Sequence, residues 1–71
     1  MSPEERLLRV CEKHGISTEM LRCHRRDKAL VAARRECCVE LRTLGLSLPN
    51  IGKLMNRDHT SVLHHLKARL N

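Results

Sequence analysis

The chain has 71 residues, 41% hydrophobic and 31% charged, with no Phe, Tyr or Trp and a formal net charge of +6. That length allows a single domain, residues 1–71, with a compact core and little material left to wall an enzymatic cleft. No apolar run approaches the ~18 residues that span a bilayer, and the acidic start Ser2-Pro3-Glu4-Glu5 is unlike a signal peptide. A cytoplasmic location is the expectation.

The charge is clustered. Residues 22–35 hold Arg22, Arg25, Arg26, Lys28, Arg34 and Arg35 against Asp27 alone, a net of +5. A smaller excess follows near the end, where Arg57, Lys67 and Arg69 face only Asp58. A polyphosphate partner accounts for such clustering. Single-stranded nucleic acid is usually held by stacking on aromatic rings, and this chain has none, so the duplex is favoured.

Five helices follow from caps and periodicity. Ser2 with Glu5 forms a capping box, Pro3 suits the first helical position, and Leu7, Leu8, Val10 and Cys11 supply an apolar stripe. Gly15 ends this helix in a left-handed cap, and Ile16 packs back onto the stripe. Ser17 or Thr18 opens a short second helix with Met20 and Leu21, which stops in a basic loop at about 22–28. The third helix starts near Lys28 and shows Leu30, Ala33, Cys37, Leu41 and Leu44 at spacings of three and four, widened by Val31 and Cys38. Gly45 terminates it.

Ser47 caps a fourth helix whose buried side is Leu48, Ile51, Leu54 and Met55, with Pro49 tolerated in its first turn. Asn56 suits the left-handed turn position, and Asp58 caps a fifth helix with Val62, Leu63, Leu66 and Leu70 inward. No segment alternates as a strand does. The fold class is therefore all-α, a compact five-helix domain closed by a helix-turn-helix at about 47–70. In that motif the first turn of the second helix faces base edges in the major groove. Here that turn is Asp58-His59-Thr60-Ser61, four consecutive hydrogen-bonding residues where one cap suffices.

Ser47-Leu48-Pro49-Asn50-Ile51-Gly52, followed by Arg57-Asp58-His59-Thr60-Ser61-Val62-Leu63-His64, resembles the signature of the DNA-binding C-terminal domain of DnaA, the bacterial chromosomal replication initiator. The resemblance covers roughly residues 6–68 and includes Arg25-Arg26 and the long third helix. It implies a Trp-repressor-like helix-turn-helix fold that binds double-stranded DNA and serves transcriptional or replication control. By position, Arg26 would enter the minor groove, with Arg25 and Lys28 in support. Asp58 would accept from a cytosine amino group and the Thr60 methyl would touch a thymine methyl, with Ser61 in the same base-reading turn and His59 reaching a base or a phosphate. Arg34, Arg42, Leu48, Arg57 and Lys67 would hold the sugar-phosphate backbone, and His64, one turn beyond Thr60, would join either this group or the base-reading one.

Three departures stand out against the family pattern. Gly45 alone occupies a turn where two residues are usual, Asn56 stands in place of Gly-Gly, and Ser61 replaces a second threonine. The phosphate-binding loop G-x-x-x-x-G-K-[ST] of the full initiator does not occur, so no nucleotide or other cofactor is expected. The expectation is either an excised C-terminal domain or a complete small protein built from that domain alone, and Met1 followed directly by a capping box favours the second.

Other chemistry fits less well. Cys11 with His14, Cys23 with His24, and Cys37 with Cys38 lack the paired spacing of zinc fingers, and Cys37 and Cys38 fall on the apolar stripe as small hydrophobes. Cys23 and His24 are neighbours that do not face each other, and Asp58, His59 and Ser61 crowd one helical turn, so no catalytic dyad or triad forms. His65 is expected to point away from the groove into solvent. The second functional reading is a protein-interaction module that docks an acidic partner surface or antagonises the initiator.

Overall fold

A computed structural model describes residues 2–70, with side chains to residue 67. Arg69 and Leu70, read above as a cation and an inward residue, carry side chains outside that range. Five helices run in order: α1 Pro3–His14, α2 Thr18–Arg22, α3 Lys28–Thr43, α4 Leu48–Met55 and α5 His59–Leu70. None is long and apolar enough to cross a membrane. The matched caps explain the boundaries. The Ser2, Ser17 and Ser47 side chains accept from the backbone N–H groups of Glu5, Met20 and Asn50, satisfying donors that a helix start leaves orphaned. Gly15 at φ 67° and Gly45 at φ 98° supply the left-handed turns after α1 and α3.

α3 is the central element and touches all four other helices. Of its buried stripe, Ala33, Cys37, Cys38 and Leu41 cluster with Leu7, Val10 and Cys11 of α1, Leu21 of α2, Ile51 and Met55 of α4, and Val62 of α5, and Leu30 is buried near its start. Aliphatic and sulfur side chains close this core without aromatics. Cys11, Cys37 and Cys38 are free thiols packed as small hydrophobes, and burial pushes the Cys37 and Cys38 thiols up to about 12. Cys38 Sγ lies 3.6 Å from Met55 Sδ. Ion pairs fasten the α1–α3 seam, with Arg6 on Glu40 at 2.7 Å and Lys13 and His14 both on Glu36. The Lys13 hydrogen bond is the main reason the Glu36 carboxyl titrates below its ordinary value.

Three residues assigned inward by periodicity are exposed: Leu8, Leu44 and Leu63. A stripe read from spacing alone is as wide as its apolar letters, whereas the buried width is set by how many neighbours a helix has. Leu8 of α1 and Leu63 of α5 stand on rows beside the packed face, and Leu44 caps the end of α3, so none of the three finds cover.

The α4–α5 turn is tight for an identifiable reason. Gly52 is buried, its carbonyl accepts the Arg57 N–H at 2.8 Å, and a Cβ at Gly52 would collide with the Arg57 carbonyl oxygen. Asn56, at φ 55° and ψ 46°, supplies the left-handed residue that reverses the chain. Gly52→Ala in an open helix would add stability through propensity. Here overpacking should dominate and cost about 2 kcal/mol, lowering the melting temperature by ~10 °C in a thermal unfolding experiment. A variant that melts at or above the parent temperature would refute the close approach.

Candidate nucleic-acid interface

The basic loop between α2 and α3 has no regular structure, so its carbonyls need partners from elsewhere. Arginines supply them. Arg34, on the inner face of α3 and only 3% exposed, donates from Nε to the Leu21 carbonyl at 2.9 Å. Its Nη1 donates to the Arg25 carbonyl at 2.6 Å, and its Nη2 to the Cys23 carbonyl at 2.6 Å and the Met20 carbonyl at 3.4 Å. Arg57, just after α4, reaches the Arg22 carbonyl at 3.1 Å and also bonds the Cys23 carbonyl. Arg22 Nε in turn donates to the Leu54 carbonyl of α4 at 2.7 Å.

This geometry corrects two sequence-based assignments. Arg34 does not face a phosphate: its guanidinium is spent inside the fold, its pKa pulled down by burial and then by nearby Arg57. Arg57 likewise points its donors at the loop carbonyls rather than outward. A planar fork of five N–H donors suits this role, and lysine's single ammonium does not.

With the loop pinned from behind, other cations are presented outward. Arg26 is exposed. Arg25 is also exposed and pairs with Asp27 at 2.8 Å, a solvent-screened contact of little energy. Lys28 is exposed at the first position of α3.

The start of α5 is built around Asp58. Its Oδ1 accepts from the Ser61 N–H at 2.8 Å, and hydrogen bonds at Ser61 hold the Asp58 carboxyl below its ordinary pKa. His59 and Thr60 are exposed, and Ser61 is half-buried. An open depression of about 750 Å³ separates the loop from α5, and Arg26, Asp58, Thr60, Ser61 and His64 line it together. Asp58 also borders a second hollow with His59, Pro49 and Lys53, so His59 lies on the α4 side of the turn. The remaining expected residues, Arg42, Leu48 and Lys67, gather on a different groove along the other flank of α5.

Sequence reasoning missed several lining residues of the depression: His24, Arg35 and His65. The sequence carried a signal for Arg35, because it belongs to the basic stretch 22–35 that holds most of the net charge. His65 does not point into solvent as expected. It is half-buried, and burial, followed by the charges of Arg35 and Arg34, lowers its pKa.

A family model described as the bacterial DnaA protein helix-turn-helix matches residues 6–68. That family binds DNA and is not a catalytic one. No curated protein and no solved structure matches the chain.

Arg34→Lys keeps the charge but loses the fork, leaving loop carbonyls unbonded. Stability should fall by about 2 kcal/mol in a urea titration, whereas a phosphate-contacting arginine would leave it unchanged. The titration of His65 sets a pH limb. Its folded pKa lies below the ordinary 6.5, so the unfolded chain binds the proton more readily and stability declines as pH falls through about 6.5. Glu36, with a depressed carboxyl pKa, adds a second loss in more acid solution. His65→Leu should flatten the first limb in melting temperature against pH and leave the second, and an unchanged profile would contradict this assignment.

Proposed function

We propose that this chain, which belongs to the bacterial DnaA helix-turn-helix family, binds double-stranded DNA in a sequence-specific manner and acts in transcriptional or replication control. The first turn of α5, Asp58 to Ser61, enters the major groove, and Arg26 from the loop enters the neighbouring minor groove. The observation that carries this reading is the shared depression lined by Arg26 and by Asp58, Thr60, Ser61 and His64. A loop cation and a polar helix start on one surface suit a ligand that offers a minor and a major groove side by side.

Each side chain then has a task set by its chemistry. The Arg26 guanidinium sits in the strong negative potential of a narrow, A·T-rich minor groove. Asp58 has one carboxylate oxygen engaged in capping α5, and the other accepts a hydrogen bond from a cytosine amino group. The Thr60 methyl packs on a thymine methyl, while Ser61 and His59 offer polar contacts to base edges. Exposed Lys28, Arg35, Lys53 and His64 meet phosphates, fixing register without reading sequence. Arg34, Arg57 and Arg22 act one step back, by holding the loop and the turn in relation to each other.

Selection from random duplex DNA tests the reading most directly and should enrich one asymmetric site. With about six phosphate contacts, log affinity for that site should fall against log salt with a slope near −5. Arg26→Ala should weaken A·T-rich flanks most, and Thr60→Ala should relax preference at one base pair by ~1–3 kcal/mol. No enriched site, or equal losses on every sequence for both variants, would overturn it.

A further inference from the structure

Two grooves of a duplex that lie side by side are separated by one sugar-phosphate strand. With Arg26 in the minor groove and the first turn of α5 in the major groove, that strand has to cross the depression of about 750 Å³ between them. His65, one helical turn beyond Ser61 on the same row of α5, lines this depression and is half-buried. Cations surround it: Arg34 and Arg35 of α3, Arg57 of the α4–α5 turn, and its own neighbour His64. His24 and Arg26 of the loop line the same space, and the one carboxylate among the described lining residues is Asp58, already engaged in capping α5. Burial, and then the charges of Arg35 and Arg34, hold the His65 pKa below the ordinary 6.5, so the ring is mostly neutral at neutral pH. A phosphate strand reverses that balance. Its negative charges offset the arginines and favour the protonated ring.

We infer that His65 is a proton-taking phosphate contact: as the strand between the two grooves settles into the depression, the ring accepts a proton and the imidazolium pairs with a phosphate. This role rests on the DNA reading and adds to it a dependence on pH. No bond to DNA is made or broken. The proton leaves a buffer acid and adds to the free ring nitrogen of His65. Protonation costs less in the complex than in the free chain, so affinity rises as pH falls. The gain levels off below 6.5, once the free chain has taken up the same proton. Two other histidines provide contrasts. His64 is exposed on the adjacent row, where solvent screens its charge. His14 lies outside the depression, held by Glu36 at 3.2 Å on the α1–α3 seam.

The probe is a short fluorescent duplex with an A·T-rich run, titrated with the full chain at fixed salt over a series of pH values. From about pH 8 to about pH 5.5 the parent affinity should rise about tenfold, as uptake of roughly one proton across that range allows. His65→Gln should match the parent at the alkaline end and lose the acid gain. A purely structural role would instead make this variant weaker by the same factor at every pH, and that result overturns the proposal. Histidine ring NMR of the unaltered chain reads the same event without a substitution. The His65 signal should titrate at higher pH when duplex is present, and the His14 signal should stay where it was. A His65 titration unmoved by DNA, an affinity independent of pH, or an acid gain retained by His65→Gln overturns the proposal and leaves the DNA reading standing. Absence of duplex binding at every pH overturns both.

Discussion

Burying a guanidinium costs several kcal/mol unless its donors are satisfied, and Arg34 meets that condition with backbone carbonyls in place of a carboxylate. The exchange works in both directions. An irregular loop has carbonyls that no helix ladder absorbs, and a fork of N–H groups rising from α3 absorbs several of them at once. The loop thereby acquires a fixed course without secondary structure of its own. The cations it presents outward depend on that inward-facing side chain, with Arg57 sharing the task.

The same device links the loop to the helix-turn-helix. Arg57 bonds the loop carbonyls from the α4–α5 turn, and Arg22 bonds the Leu54 carbonyl from the end of α2. Gly52 and Asn56 bring the turn close enough for Arg57 to reach. The basic cluster is therefore two populations with different work. Arg34 from the interior, and Arg22 and Arg57 from nearer the surface, brace backbone carbonyls; Arg26, Lys28 and Arg35 make up much of the outward field. A relative placement of loop and α5 that is fixed beforehand lowers the ordering cost of binding a rigid double-stranded ligand.

The helix boundaries were legible because the signals are local. Ser2, Ser17, Ser47 and Asp58 each bond a backbone N–H within three residues, and Gly15 and Asn56 adopt the left-handed geometry their types favour. What could not be read was the outcome of packing between helices. Leu8, Leu44 and Leu63 look like core by letter and are exposed, because cover depends on which neighbours arrive. Arg34 was legible and overlooked: it lies four residues after Leu30 and four before Cys38, in phase with the buried stripe. Its charge argued for the surface, and its helical phase argued for the interior. Phase prevailed, because the loop supplied acceptors from segments a dozen residues away. Close approach of Gly52 to Arg57 left a weaker trace, a glycine inside a helix that propensity alone would disfavour.

The distribution of sulfur has a practical consequence. Cys11, Cys37 and Cys38 are sealed in the core, where burial raises their thiol pKa values, those of Cys37 and Cys38 to about 12, while Cys23 sits half-exposed in the loop that Arg34 and Arg57 brace. The thiolate is the reactive species, so the three core thiols stay silent toward an alkylating reagent until the helices separate. The chain thus carries two built-in clocks. Modification of half-exposed Cys23 reads the loop as it stands, and modification of the other three times the opening of the whole core, in a protein with no tryptophan to report either event.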